Sequence, residues 1–436
     1  MIERFCMCFF YLIIFVIIWL LQKKAYCTIR TPLTFFSLLW CVVGFCANTT
    51  IMNYDPPSLK VNIFIILGIL LFSLVFIYRV PIARITIQKD HEFGKNNMIN
   101  FRNIYIVNLI CWLFMIPRFK TAIQILSTEG FAFLRANLSN SEIGLSRGGF
   151  SDIVFGYMVE PVFITTAILS IFLLFKNDKV KGSLLLFIYS IIAITIYAFT
   201  GAARGCLIKF AFCFFFVLIL CKKKVLYNVM KMRAVKYSII LLVGTVLFIT
   251  FQRGTFEGGN SATESVFRTF YIYYFSGPSY MTKLMENQSQ WGGFGQLLYG
   301  SATFGFLTNF ISWILIFFTG KSQGSLYILG SLISNTYYIV APNVKINAMY
   351  TCFYTFWIDW GYLGIILGPI LLALFSAYLF KRVYLKGDYK ACVMYVFWLY
   401  TLTRTVFKLD TIGVGITIVF VCMQFFVRSV SIDEKC

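Results

Sequence analysis

The sequence predicts an all-α polytopic membrane protein with about eleven transmembrane helices and one large outer loop. Three observations predict it. Only 13% of the 436 residues are charged and 59% are hydrophobic, whereas a soluble domain of this size carries about 25% charged residues. Apolar runs recur along the whole length, many of them near or above the roughly 18 residues that cross a bilayer. Lys and Arg collect in the short gaps between these runs, where positive charge fixes membrane orientation.

The runs lie at 5–21, 33–48, 61–78, 103–117, 153–175, 183–200, 205–221, 237–252, 352–380, 391–407 and 411–428. Unpaired backbone groups are too costly in hydrocarbon, so each run should be a helix. Gaps on one side hold 23 Lys/Arg and gaps on the other hold 13. The richer side is expected to be cytoplasmic, with the N-terminus outside and the C-terminus inside. The whole chain, 1–436, reads as one integral membrane domain with a first outer loop at 118–152 and a large outer loop at 253–350. The apolar stretch 297–318 inside that loop reads as an interfacial or re-entrant helix, or as half of a hairpin with 325–341. A single extra crossing there would put the basic segment after Phe380 outside, against the charge rule.

The same charge pattern disposes of a nucleic-acid reading of the +21 net charge, because the cations are spread over gaps rather than gathered on one surface. No nucleic-acid partner is expected. The 13 cysteines are absent from both long outer loops, which argues against a disulfide framework. Most read as small apolar packing residues. The first run lacks a small-residue cleavage site and reads as a retained span.

Arg204 is the leading candidate for chemistry, in Thr200-Gly201-Ala202-Ala203-Arg204-Gly205 at an outer boundary. A guanidinium grips phosphate bidentately and keeps its charge at any working pH. The alternative is a snorkelling helix anchor. Arg253 and Arg268 in the large loop, and Arg118, Lys120, Arg135 and Arg147 in the first, are further outer cations. Arg404 and Lys209 fall inside spans, where an ionisable group is a functional candidate by default. Asp359 and Glu160 are candidate general bases for a sugar hydroxyl. A structural hydrogen bond or helix cap competes for Asp359, and a helix end competes for Glu160. The single histidine, His91, lies in a cytoplasmic gap. No outer cluster has metal-ligand spacing, and no nucleotide phosphate loop is visible. No cofactor is expected, so energy must come from an activated donor.

With these residues in hand, the chain resembles the oligosaccharide repeat-unit polymerases (O-antigen polymerases of Wzy type). The resemblance rests on about a dozen spans, a dominant late outer loop and the small-small-Arg-Gly junction at Ala202-Ala203-Arg204-Gly205. That family often has Ser where Ala203 stands. It rests also on Tyr274-Phe275-Ser276-Gly277-Pro278, on Asn347-Ala348-Met349-Tyr350-Thr351, and on Tyr354, Asp359, Gly361 and Gly364 beyond. The resemblance implies a metal-independent, GT-C-like glycosyltransferase in the bacterial cytoplasmic membrane, with its active site facing the exterior. Donor and acceptor would both be oligosaccharides on undecaprenyl pyrophosphate in the surrounding membrane lipid. A flippase and a chain-length regulator would be partner proteins. Arg204 would neutralise the departing pyrophosphate, with Arg404 or Arg253 assisting. Arg268, Tyr274, Asn347 and Tyr350 would complete the substrate site. The competing readings are a lipid-linked oligosaccharide flippase, an O-antigen ligase and a non-catalytic scaffold. Asymmetric loops argue against the first, and the lack of an outer histidine argues against the second.

Overall fold

A computed structural model describes residues 2–26, 30–49, 51, 55–80, 97–137, 145, 149–174, 182–201, 205–220, 233–252, 271–272, 274–286, 297–319, 338–341, 344–346, 350–386 and 388–429. These residues form an all-α membrane protein. Helices lie over all eleven predicted runs, and six of them are long and apolar enough to cross a membrane. Four shorter apolar helices accompany them, Thr34–Thr49, Gly205–Leu220, Val235–Phe248 and Gly415–Phe426.

The chain divides into two compact units. The first comprises Met1–Lys89, Asn260–Leu385 and Thr401–Val414. It contains α1 (Ile2–Tyr26), α2 (Leu39–Thr49), α3 (Leu59–Arg79), and in the large loop α11 (Gly277–Glu286) and α12 (Gly305–Thr319). The 36-residue α13 (Thr351–Lys386) follows. Lipid tails are as apolar as these helices, so polar side chains supply specificity between them. The Tyr11 hydroxyl donates to Asn62 Oδ1 at 3.0 Å, and Asn48 Nδ2 donates to the same oxygen at 2.9 Å, joining α1, α2 and α3. Ser37 and Ser73 share a hydrogen bond at 2.8 Å. A Cβ on Gly68 would overlap the Phe353 ring, so glycine is what lets α3 lie against α13.

The second unit comprises Asp90–Gly259, Lys386–Tyr400 and Gly415–Cys436. Its helices are α4 (Phe101–Thr128), α5 (Gly130–Ala136), α6 (Gly149–Ile153), α7 (Glu160–Leu174), α8 (Ser183–Thr200), α9 (Gly205–Leu220), α10 (Arg233–Gln252) and α15 (Gly415–Phe426). The central helix is α7, buried from Pro161 to Leu173 and packed by α4, α8, α9 and α15. Asn108 on α4 donates to Thr166 on α7 at 2.9 Å, and Trp112 donates to Tyr189 on α8 at 2.6 Å. A short antiparallel pair, β1 (Asn97–Ile99) with β2 (Val427–Ser429), closes the unit. The chain passes between the units within α14 (Tyr389–Arg404).

Two elements depart from the expected boundaries. Helix α4 does not stop at residue 117; it continues to Thr128 through Pro117. Pro117 sits 16 residues into the helix, and the carbonyl it frees is the sort of gap that Ser/Thr hydroxyls fill. The stretch 297–318 contains α12, with the turn before it tied to α13. The proposed partner segment 325–341 lies largely outside the described residues.

Candidate functional site

The site in the first unit begins at a break in α13. Trp360 and Gly361 leave helical geometry, and Gly361 has φ +59°, a region that favours glycine. The break frees backbone groups within an apolar helix, and the segment before α12 satisfies them. Leu298 N–H donates to the Ile358 carbonyl and Tyr299 N–H to the Asp359 carbonyl, each at 3.0 Å. In return the Asp359 carboxylate accepts from Ala302 N–H at 3.0 Å and from Thr303 N–H at 2.6 Å. The side chain is fully buried. Both carboxylate oxygens therefore fasten the loop to the helix, and neither faces water.

Arg404 is the last residue of α14. Its Nε lies 3.3 Å from Asp410 Oδ2, and the guanidinium carbon is 4.9 Å from the Phe407 ring centre. One-third of the Arg404 side chain and one-fifth of the Asp410 side chain are exposed. The Tyr274 ring packs edge-on against Phe407 with centroids 4.9 Å apart. Tyr274 and Tyr350 both lie within electrostatic reach of Arg404, and Tyr350 also of Asp410 and Tyr280. Burial pushes the Tyr350 phenol well above its ordinary value, and neighbouring Asp410 adds to the shift while Arg404 opposes it. Burial raises the Tyr274 phenol too, again opposed by Arg404. Both phenols are therefore neutral hydrogen-bonding groups beside a cation.

The loop that follows Arg404 is pinned on several sides. Thr351 N–H donates to the Phe407 carbonyl and Cys352 N–H to the Thr405 carbonyl, each at 2.9 Å. The Trp40 indole donates to the Thr405 hydroxyl at 3.0 Å. The Arg404 carbonyl accepts from Phe407 and Lys408 N–H at 2.9 and 3.0 Å.

Four residues singled out from sequence thus belong to this unit's site: Tyr274, Tyr350, Arg404 and Asp359. They come from the loop, the start of α13, its break and the end of α14. Arg204, Arg253, Arg268 and Asn347 lie outside the described residues, as does Arg147.

Glu160 belongs to the second unit. It opens α7 directly after a π-helical turn, Val154–Val159, a distortion often found at functional sites. Its carboxylate is 2.7 Å from Lys209 Nζ, and Lys209 lies 5.7 and 5.6 Å from the ring centres of Phe397 and Tyr400. Arg118 is buried on α4, paired with Asp152 and packed 4.4 Å over the Phe155 ring. Tyr197 lies within electrostatic reach of Glu160, Arg118 and Arg135. These four charges form two ion pairs among apolar helices, the arrangement that makes buried charge tolerable. The sequence marked Arg118, Glu160 and Lys209 but not their pairing. The pairs are 34 and 49 residues apart, beyond any local spacing rule.

No family model matches the chain, and comparison with curated proteins and with solved structures found no similar protein.

Proposed function

We propose that this protein polymerises lipid-linked oligosaccharide repeat units into O-antigen or capsule-type polysaccharide. In this reading the chain crosses the bacterial cytoplasmic membrane eleven times and the Arg404 site opens to the exterior. One observation carries it. Tyr274 and the partly exposed Arg404 both pack on Phe407, and the buried Tyr350 lies within electrostatic reach of the same cation. A cation flanked by neutral phenols suits a diphosphate joined to a sugar, the phenols donating to sugar or phosphate oxygens.

The reaction follows from that chemistry. The acceptor's terminal hydroxyl oxygen forms a bond to the anomeric carbon of the donor chain. The bond from that carbon to the pyrophosphate oxygen breaks, and undecaprenyl pyrophosphate leaves with the electron pair. Arg404 neutralises the developing charge. The hydroxyl proton passes to a carboxylate. Asp359 has both oxygens engaged by backbone donors, so the proposal moves this role to Asp410, partly exposed beside Arg404. Glu160 belongs to the second unit and takes no part in the step.

The test is the surface glycan of a strain lacking the gene. A polymerase loss leaves glycan of a single repeat unit, whereas a flippase loss leaves none. Absence of the one-unit form rejects the proposal.

A further inference from the structure

A line of contacts joins the break in α13 to the Arg404 site through one residue. Thr303 donates its backbone N–H to Asp359 Oδ2 at 2.6 Å, and its carbonyl accepts from the Thr411 hydroxyl at 2.9 Å. Thr411 lies in a one-turn 3-10 segment, Asp410–Ile412, beside the carboxylate that holds Arg404. Thr303 and Thr411 are both buried. A turn of three residues has little stability of its own. Within it, Gly413 N–H to the Asp410 carbonyl at 3.1 Å closes the turn, and the Thr411 hydroxyl fastens it to Thr303.

We infer that Asp359 and Thr411 are positioning residues that together fix Asp410, and through it the Arg404 guanidinium. The physical need is clear. Arg404 is long and flexible, and a cation that stabilises a leaving group is effective only when held in place beforehand. Asp410 Oδ2 lies 3.3 Å from Arg404 Nε as an ion pair, so displacing its turn removes that electrostatic restraint on the guanidinium. Asp359 fixes the N–H side of residue 303 and Thr411 uses its carbonyl side, so the rigid peptide units about one residue carry the coupling. This gives Asp359 a role in the reaction without contact with substrate. Its activity consequence rests on the polymerase reading; its structural consequence does not.

The experiment uses full-length purified protein with Thr411→Val, Thr411→Ser, Asp359→Asn, Arg404→Ala and the Thr411→Val/Arg404→Ala double variant. Valine keeps the shape of threonine and removes its hydroxyl, whereas serine keeps the hydroxyl. Hydrogen exchange of residues 405–413 is read first. Thr411→Val and Asp359→Asn should each speed exchange there about tenfold, the effect of losing one hydrogen bond, while Thr411→Ser stays at the wild-type rate. Unchanged exchange in Thr411→Val overturns the inference whatever the substrate is. Chain extension on lipid-linked repeat units is read second. Thr411→Val should lower kcat about tenfold with KM nearly unchanged, Thr411→Ser should restore it, and the double variant should be no slower than Arg404→Ala. A double variant slowed by the full product of the two single effects overturns the coupling. Loosened exchange in a protein whose wild type extends nothing rejects the polymerase reading and leaves the positioning link standing.

Discussion

Replacing Asp359 by alanine should be the most damaging single change among the polar residues of the first unit. The carboxylate accepts two backbone N–H groups, from Ala302 at 3.0 Å and Thr303 at 2.6 Å, and is fully buried. A hydrogen bond to a charged group contributes about 1.5–3 kcal/mol. Two of them give about 3–6 kcal/mol, a large share of the roughly 5–15 kcal/mol that keeps a domain folded. At about 2–4 °C per kcal/mol for a domain of some 150–250 residues, the midpoint should fall by about 10 °C. Asp359→Asn should lose roughly half of this, since its amide keeps one acceptor oxygen and turns a donor toward the other N–H. The assay is heating in detergent, followed by the fraction of protein that still elutes as a single species. An Asp359→Ala midpoint within about 2 °C of wild type would mean that those backbone groups have another acceptor, and the account of the helix break would be wrong.

Three further outcomes follow from particular contacts. Lys209→Met leaves Glu160 charged and unpaired at 22% exposure among apolar helices and should cost about 3 kcal/mol; adding Glu160→Gln should recover most of it, read as folded yield and thermal midpoint. Gly361→Ala meets a φ of +59° with an extended-type ψ of −135° and should cost about 1–3 kcal/mol in the same assay. The raised Tyr350 phenol is protonated in the fold beyond the pH, about 10, at which an unfolded tyrosine ionises. Its contribution to stability is therefore complete below about pH 10 and is lost as pH rises toward the folded value. Alkaline unfolding of Tyr350→Phe should begin at higher pH than that of wild type.

Hydropathy made the helices legible because apolar length is a property of the local sequence. The two long-range ends of the account were not. Pro117 and Arg118 read as the edge of an outer loop, yet Arg118 turns into the second unit to meet Asp152, and α4 carries on for another turn and more. Asp359 read either as a base or as a structural hydrogen bond. Its donors lie 56 and 57 residues upstream, in a segment whose apolar character gave no hint of a turn built for a carboxylate. Nothing in the spacing of Asp410 tied it to Arg404 six residues earlier, because an irregular turn, not a helix, brings them together. The clustering of Tyr274, Tyr350 and Arg404 had no local signal in the sequence. Local patterning relates residues three or four apart, whereas these lie on separate elements.

The central claim is that Arg404 neutralises the diphosphate that departs as two glycans are joined. Its most direct measurement is extension of lipid-linked repeat units by the purified protein, wild type against Arg404→Ala and Arg404→Lys, with folded fraction matched by elution. The account predicts polymer from wild type, a rate at least about 10²-fold lower for Arg404→Ala, and weak recovery with lysine, which lacks the planar fork. Wild-type rates from Arg404→Ala would contradict it.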